Sequence, residues 1–195
     1  MKKESYEAIV IGVSAGGMEA LPIILEPLPE DFPVPILIVQ HISPHSDGYL
    51  PRYLDSICRV KVREAEEKDV LRPGTVYVAP ANYHLLVEED RTLSLSVEER
   101  VNFARPSVDV LFETASEAFG SRVVGIILTG ANRDGSMGLK KIRQNHGLCI
   151  VQSPETAFAH DMPRAAIAAC PVDHILPLHQ ISPFLCRLFG RNHDA

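Results

Sequence analysis

Three polar residues, each placed just after a run of aliphatic side chains, carry the chemistry that this chain can be read for. Ser14 stands in Gly12-Val13-Ser14-Ala15-Gly16, a G-x-S-x-G string that follows the apolar residues 8–11. His41 closes the run PILIVQ at 35–40, and Asp134 lies in the turn 129–135 behind RVVGIIL at 122–128. A hydroxyl, an imidazole and a carboxylate suit nucleophilic acyl transfer. The imidazole takes the hydroxyl proton, while the carboxylate fixes the tautomer and stabilises the imidazolium. Glycines on either side of Ser14 let the backbone bend sharply from strand to helix, which exposes the hydroxyl. The first N–H groups of the helix that follows then lie near a developing oxyanion.

Each residue also has a plainer reading. A short G-x-S-x-G string is often only a turn, a histidine at a strand end is often a hydrogen-bonded structural residue, and Asp134 serves equally well as a helix cap. Two rival sites are weaker. A dinucleotide loop at Gly12-x-Ser14-x-x-Gly17 lacks its middle glycine, and the second strand ends in Gln40-His41 instead of a ribose-binding acid. A metal site on His41 and His45 is broken by Ser43-Pro44 and has no third ligand. An ordinary α/β-hydrolase runs serine, acid, histidine and has strands before its elbow, neither of which holds here.

The elements that position these residues alternate between strand and helix. Residues 8–11, 35–40, 122–128 and 148–151 read as buried strands; 18–28, 47–58, 107–119, 136–146, 163–169 and 181–189 read as helices. Strand candidates at 60–63, 75–79, 84–88 and 92–97, separated by turns such as Arg72-Pro73-Gly74, predict an antiparallel hairpin region around 60–97 beside the main sheet. The expected architecture is therefore α/β: a three-layer, doubly wound, mostly parallel sheet with helices on both faces. In such a sheet ligands sit beyond the carboxyl ends of the strands, where Ser14, His41 and Asp134 all fall.

Composition sets the bounds. With 195 residues, 46% apolar and 23% charged, the chain reads as one globular domain over 1–195. Its net charge of −6 argues against a general nucleic-acid binder. No 18-residue apolar run is present, so no membrane insertion is expected, and MKKESYEAIV is too acidic and its apolar run too short for a leader. Cys58, Cys149, Cys170 and Cys186 are widely spaced and read as reduced thiols of a cytoplasmic protein.

The sequence resembles the catalytic domain of the chemotaxis protein-glutamate methylesterase (CheB) family. The matching segments are IGVSAGGMEAL at 11–21, QHISP at 40–44, VYVAPANYHL at 76–85, RPSVDVLF at 105–112, ILTGANRDGSMGL at 127–139 and MPRAA at 162–166. The resemblance implies Ser14 as nucleophile, His41 as general base and acid, and Asp134 as its orienting carboxylate. It also implies hydrolysis of γ-glutamyl methyl esters on chemoreceptor helices with release of methanol, deamidation of receptor glutamines in some members, and no cofactor or metal. Backbone donors for the oxyanion fall near Ala15, Gly16 or the 130–132 loop, with Ala131 its central donor. Met162-Pro163 begins a helix at the cleft wall. Arg105 and His84 match family segments and fit a structural anchor and a substrate-groove role equally.

Three departures stand out. Ala15 replaces a usual threonine. The loop that commonly reads Gly-Met-Gly-Asn-Asp-Gly reads Gly130-Ala131-Asn132-Arg133-Asp134-Gly135, which adds charge at the cleft rim. Family members also usually carry an N-terminal receiver domain, and this sequence starts at the catalytic strand: either that domain has been removed, or the enzyme works unregulated, or a separate receiver-type protein controls it. The alternatives are a binding or regulatory module that uses the same groove without catalysis, and a methylesterase acting on a protein other than a chemoreceptor.

Overall fold

A computed structural model describes residues 6–190; the first part of the stretch weighed above as a leader lies outside them. The sheet is organised around β1 (Ala8–Val13). It pairs in parallel with β2 (Ile36–Gln40) on one side and β7 (Val123–Ile127) on the other. Beyond β2 lie β4 (Thr75–Val78) and β3 (Lys61–Glu64). Beyond β7 lie β8 (Leu148–Gln152) and β9 (His174–Leu176). The seven strands run in the order β3-β4-β2-β1-β7-β8-β9, all parallel.

Alternation along the central strands explains why both faces are covered. Val10 in β1, Leu37 and Val39 in β2, and Val123 and Ile127 in β7 point into one apolar cluster. Ile9 and Ile11, Ile36 and Ile38, and Val124 and Ile126 point into the other. A strand with period-two side chains that are apolar on both faces can only be stable between two helical layers. One layer holds α3 (Val108–Phe119), α4 (Ser136–Gln144) and α5 (Asp161–Ala169). The opposite layer holds α1 (Gly17–Leu25), α2 (Tyr49–Ile57) and α6 (Leu178–Leu188).

The doubly wound fold expected from the sequence is the observed one, and the hairpin region is half of what was expected. Only β5 (His84–Val87) and β6 (Leu93–Ser96) form a separate antiparallel pair. The strands predicted at 60–63 and 75–79 instead join the main sheet in parallel as β3 and β4. Their residues Val62, Val76 and Val78 are buried in the α1–α2 layer's cluster, burial that an isolated hairpin would not provide. α1 stops at Leu25 and not at 28, because Pro27 cannot continue the hydrogen-bond ladder. α2 starts after Gly48, with the Tyr49 N–H donating to Asp47 Oδ1 at 3.1 Å. α6 begins at Leu178, three residues early, and β9 was not anticipated. All four cysteines are free, and burial pushes the Cys149 thiol up to about 12, which leaves it protonated and unreactive.

Candidate active site

The sheet changes direction of winding between β1 and β7, and the three chemically suggestive residues meet there. The Ser14 N–H donates to Thr129 O at 2.9 Å, and its carbonyl accepts from the Gly17 N–H at 3.0 Å, which forms the tight bend after β1. Gly16 takes φ 85, a left-handed value that a residue with a Cβ adopts only under strain. The Thr129 hydroxyl donates to Ala15 O at 2.7 Å, so the loop after β7 clamps the bend from the neighbouring strand.

Gln40, the last residue of β2, ties the serine and histidine segments together. Its Nε2 donates to Ser14 O at 3.0 Å and to His41 O at 2.8 Å. Nothing in the spacing of Gln40 along the chain marks this role.

His41 Nε2 lies 2.8 Å from Asp134 Oδ2. An ionised carboxylate only accepts, so Nε2 carries the proton and Nδ1 is the free base nitrogen. Asp134 is 1% exposed. Its Oδ2 also accepts from the Val108 N–H at 2.7 Å. Oδ1 accepts from the Ser107 hydroxyl at 2.8 Å, and from Asn102 Nδ2 and the Asp109 N–H at 3.1 Å each. The carboxylate thus caps the N-terminus of α3, where free N–H groups and the helix dipole favour negative charge. Burial alone pushes the Asp134 carboxyl up. The hydrogen bonds from His41, Val108, Ser107 and Asn102 outweigh it and hold the group below the ordinary carboxylate range. The cap reading and the histidine-partner reading therefore describe one carboxylate.

α3 reaches this position because Gly12 has no side chain. A Cβ there would overlap Val108 Cγ1, so a larger residue would push the helix N-terminus away from Asp134. Asn102 and Phe103 both take positive φ, 50 and 64, between the bridged residues Val101 and Ala104. That turn sends the Asn102 amide inward to Asp109 and Asp134, while Phe103 stands 96% exposed.

Ser14 and His41 converge on Asn132. Its Nδ2 lies 3.4 Å from Ser14 Oγ and 3.1 Å from His41 Nδ1. A cleft of about 320 Å³ opens beside them, lined by His41, Asn132, Arg100, Phe103 and Arg105. Phe158, 83% exposed, packs against Gly16.

Ala15, Gly16 and Ala131 border Ser14 and Asn132 on their two loops, Ala131 exposed and the other two half-buried. Met162 is 1% exposed and lies beneath the site, packed on Gly130 beside Ser14; Pro163 is buried with it. His84 is a structural anchor: its Nδ1 accepts from the Ser107 N–H at 3.2 Å and its Nε2 donates to Glu99 O at 2.9 Å. Arg105 donates to Val97 O and Glu98 O at 2.6 and 2.9 Å, which pins the loop ahead of the Asn102 turn while it also lines the cleft.

Fold and site define a class: a parallel α/β domain with a serine, a histidine and a buried carboxylate gathered at its switch point. The CheB methylesterase family profile matches residues 9–185, and the chain belongs to that family. A Leptospira interrogans relative is 56% identical over 188 residues, covering 96% of this chain and 97% of its own length. A Carboxydothermus hydrogenoformans protein-glutamate methylesterase/protein-glutamine glutaminase is 40% identical over 92% of this chain, which spans 54% of that longer protein. The crystal structure of the Thermotoga maritima CheB methylesterase catalytic domain is 35% identical and superposes with a TM-score of 0.90, covering 94% of this chain and 99% of that one.

Proposed function

We propose that this chain is a single catalytic domain that hydrolyses γ-glutamyl methyl esters on chemoreceptor helices and releases methanol, with glutamine deamidation as the related amide reaction. The observation that carries the reading is that His41, held by Asp134 through Nε2, and Ser14 both reach Asn132 Nδ2, His41 by Nδ1 and Ser14 by its hydroxyl. Ser14 is the nucleophile. His41 Nδ1 takes the hydroxyl proton as Oγ bonds to the ester carbon, and Asp134 stabilises the imidazolium. Backbone N–H groups near Ala15, Gly16 and Ala131 hold the oxyanion. Nδ1 then returns the proton to the methoxy oxygen, the C–O bond breaks and methanol leaves; water repeats the sequence to free Ser14. Asn132 Nδ2 stands against both Ser14 Oγ and His41 Nδ1, and serine–base contacts often tighten only when substrate binds.

The exposed rings of Phe103 and Phe158 beside the site suit a protein helix better than a small ester. Among the described residues no helix is long and apolar enough to cross a membrane. Receptor helices in the cytoplasm are the substrate on this reading. Methanol release from methylated chemoreceptor membranes, with wild type beside Ser14→Ala, tests it. Release by wild type alone is expected. Equal release by the variant would remove Ser14 from the mechanism, and binding without any release would favour a non-catalytic module.

A further inference from the structure

Asn132 bonds to the side chains of both Ser14 and His41, whereas Gln40 reaches only their carbonyls, and the orientation of Asn132 is fixed. Its Oδ1 accepts the Asp134 N–H at 2.9 Å, so its NH₂ group must face the other way. The two hydrogens of Nδ2 therefore point into the space between nucleophile and base, at 3.4 Å from Ser14 Oγ and 3.1 Å from His41 Nδ1. That space is where a leaving group must sit, because the proton carried by Nδ1 is delivered there.

We propose that Asn132 determines leaving-group specificity, favouring esters over primary amides; the inference rests on the Ser14–His41 mechanism above. When Nδ1 carries the serine proton it can no longer accept from Asn132, and the Nδ2 hydrogens are freed for whatever stands beside it. A methoxy oxygen in the tetrahedral intermediate has two lone pairs. One takes the proton from Nδ1 while the other accepts from Asn132 Nδ2, which stabilises the charge that grows as the C–O bond breaks. The nitrogen of an amide-derived intermediate has a single lone pair. His41 needs it, so the hydrogens of that nitrogen face those of Asn132 with no acceptor between them. Asn132 is half-buried at the cleft, and once bound substrate covers it a donor left without an acceptor is disfavoured, so the amide reaction is penalised where the ester reaction is assisted. In the commonly found loop Gly-Met-Gly-Asn-Asp-Gly, the aligned position is glycine and offers no such donor.

The test compares two peptides that differ only in one side chain, glutamate γ-methyl ester or glutamine, with wild type, Asn132→Gly and Asn132→Leu. Leu keeps most of the side-chain volume without a donor. The expected result is a fall of about tenfold in the ester-to-amide ratio of kcat/KM in both variants, the effect of one hydrogen bond in a transition state. The change is expected in kcat, with KM for the ester nearly unchanged. Labelling of Ser14 by a fluorophosphonate checks that each variant keeps a formed site. A ratio unchanged within twofold, or both activities lost in proportion while labelling persists, overturns the inference and leaves the methylesterase reading standing. A ratio that falls in Asn132→Gly but not in Asn132→Leu overturns it too, since backbone freedom would then be the cause. Cleavage of neither peptide by wild type sinks both readings together.

Discussion

Asp134 holds His41 through Nε2, at 2.8 Å, and the choice of that nitrogen leaves Nδ1 to accept from Asn132 Nδ2, which also reaches Ser14 Oγ. The same carboxylate accepts the first N–H groups of α3. The base of the proposed reaction is thereby oriented by a group whose charge a helix terminus stabilises, and the helix terminus is in turn satisfied by that charge.

Asp134→Asn is expected to lower kcat by up to about 10⁴, through loss of the correct tautomer and of the charge opposite the imidazolium. An amide NH₂ in place of one oxygen would also face donors from α3 or from His41. A further stability loss of about 1–3 kcal/mol is therefore expected in urea unfolding. A large stability loss with kcat nearly unchanged would leave only the helix cap as the role of Asp134.

The acid stability of the protein should depend on the same carboxylate. Its folded-state value lies below the ordinary 3.8, so the unfolded chain binds the proton more readily. The stability it contributes is fully present above 3.8 and is lost as pH falls through the depressed folded value. Unfolding free energies of wild type and Asp134→Asn should therefore converge as the pH is lowered below that ordinary value. Asp109 acts with the opposite sign: burial pushes its carboxyl up, so its cost is relieved as pH falls toward the ordinary value.

Gly12→Ala is expected to destabilise the protein by about 1–3 kcal/mol, as overpacking against Val108 forces α3 away from β1. Because that helix delivers two N–H groups to Asp134, kcat should fall as well. Urea unfolding and methanol release on the same preparation measure the two effects. Unchanged activity in a destabilised variant would show that α3 does not need its exact seat for turnover.

His84 and Arg105 should separate in assay. His84→Ala removes the acceptor for the Ser107 N–H and is expected to lower stability by about 1–3 kcal/mol, with KM little changed. Arg105→Ala frees the loop ahead of the Asn102–Phe103 turn at the cleft mouth, so a raised KM is expected with a smaller change in stability. Thermal melts and steady-state kinetics distinguish the two patterns, and the reverse pattern would exchange the roles.

Much of this molecule was legible from residue order. Aliphatic runs of five or six residues ending in Ser14, His41 and a loop with Asp134 specify strands whose carboxyl ends carry those groups, since only a sheet covered on both faces buries such runs. α3 was readable from Val108, Leu111, Phe112, Ala115 and Phe119 on one face, all of them buried. β3 and β4 were found as strands, but their partners were not, because pairing depends on which edge of the sheet is open once β1, β2 and β7 have assembled. β9 has half-exposed residues and no apolar run to mark it.

The sequence by itself determined the family, the parallel α/β frame and the three residues proposed to react, because local patterning and segment order carry that information. Only the tertiary structure decided how they are served. Asp134 meets α3 across 26 residues of chain, Gln40 joins two loops by their carbonyls, and Asn132 reaches both Ser14 and His41. These are contacts between segments distant in sequence. They arise when the sheet brings strand ends within hydrogen-bond reach, and no spacing along the chain encodes them.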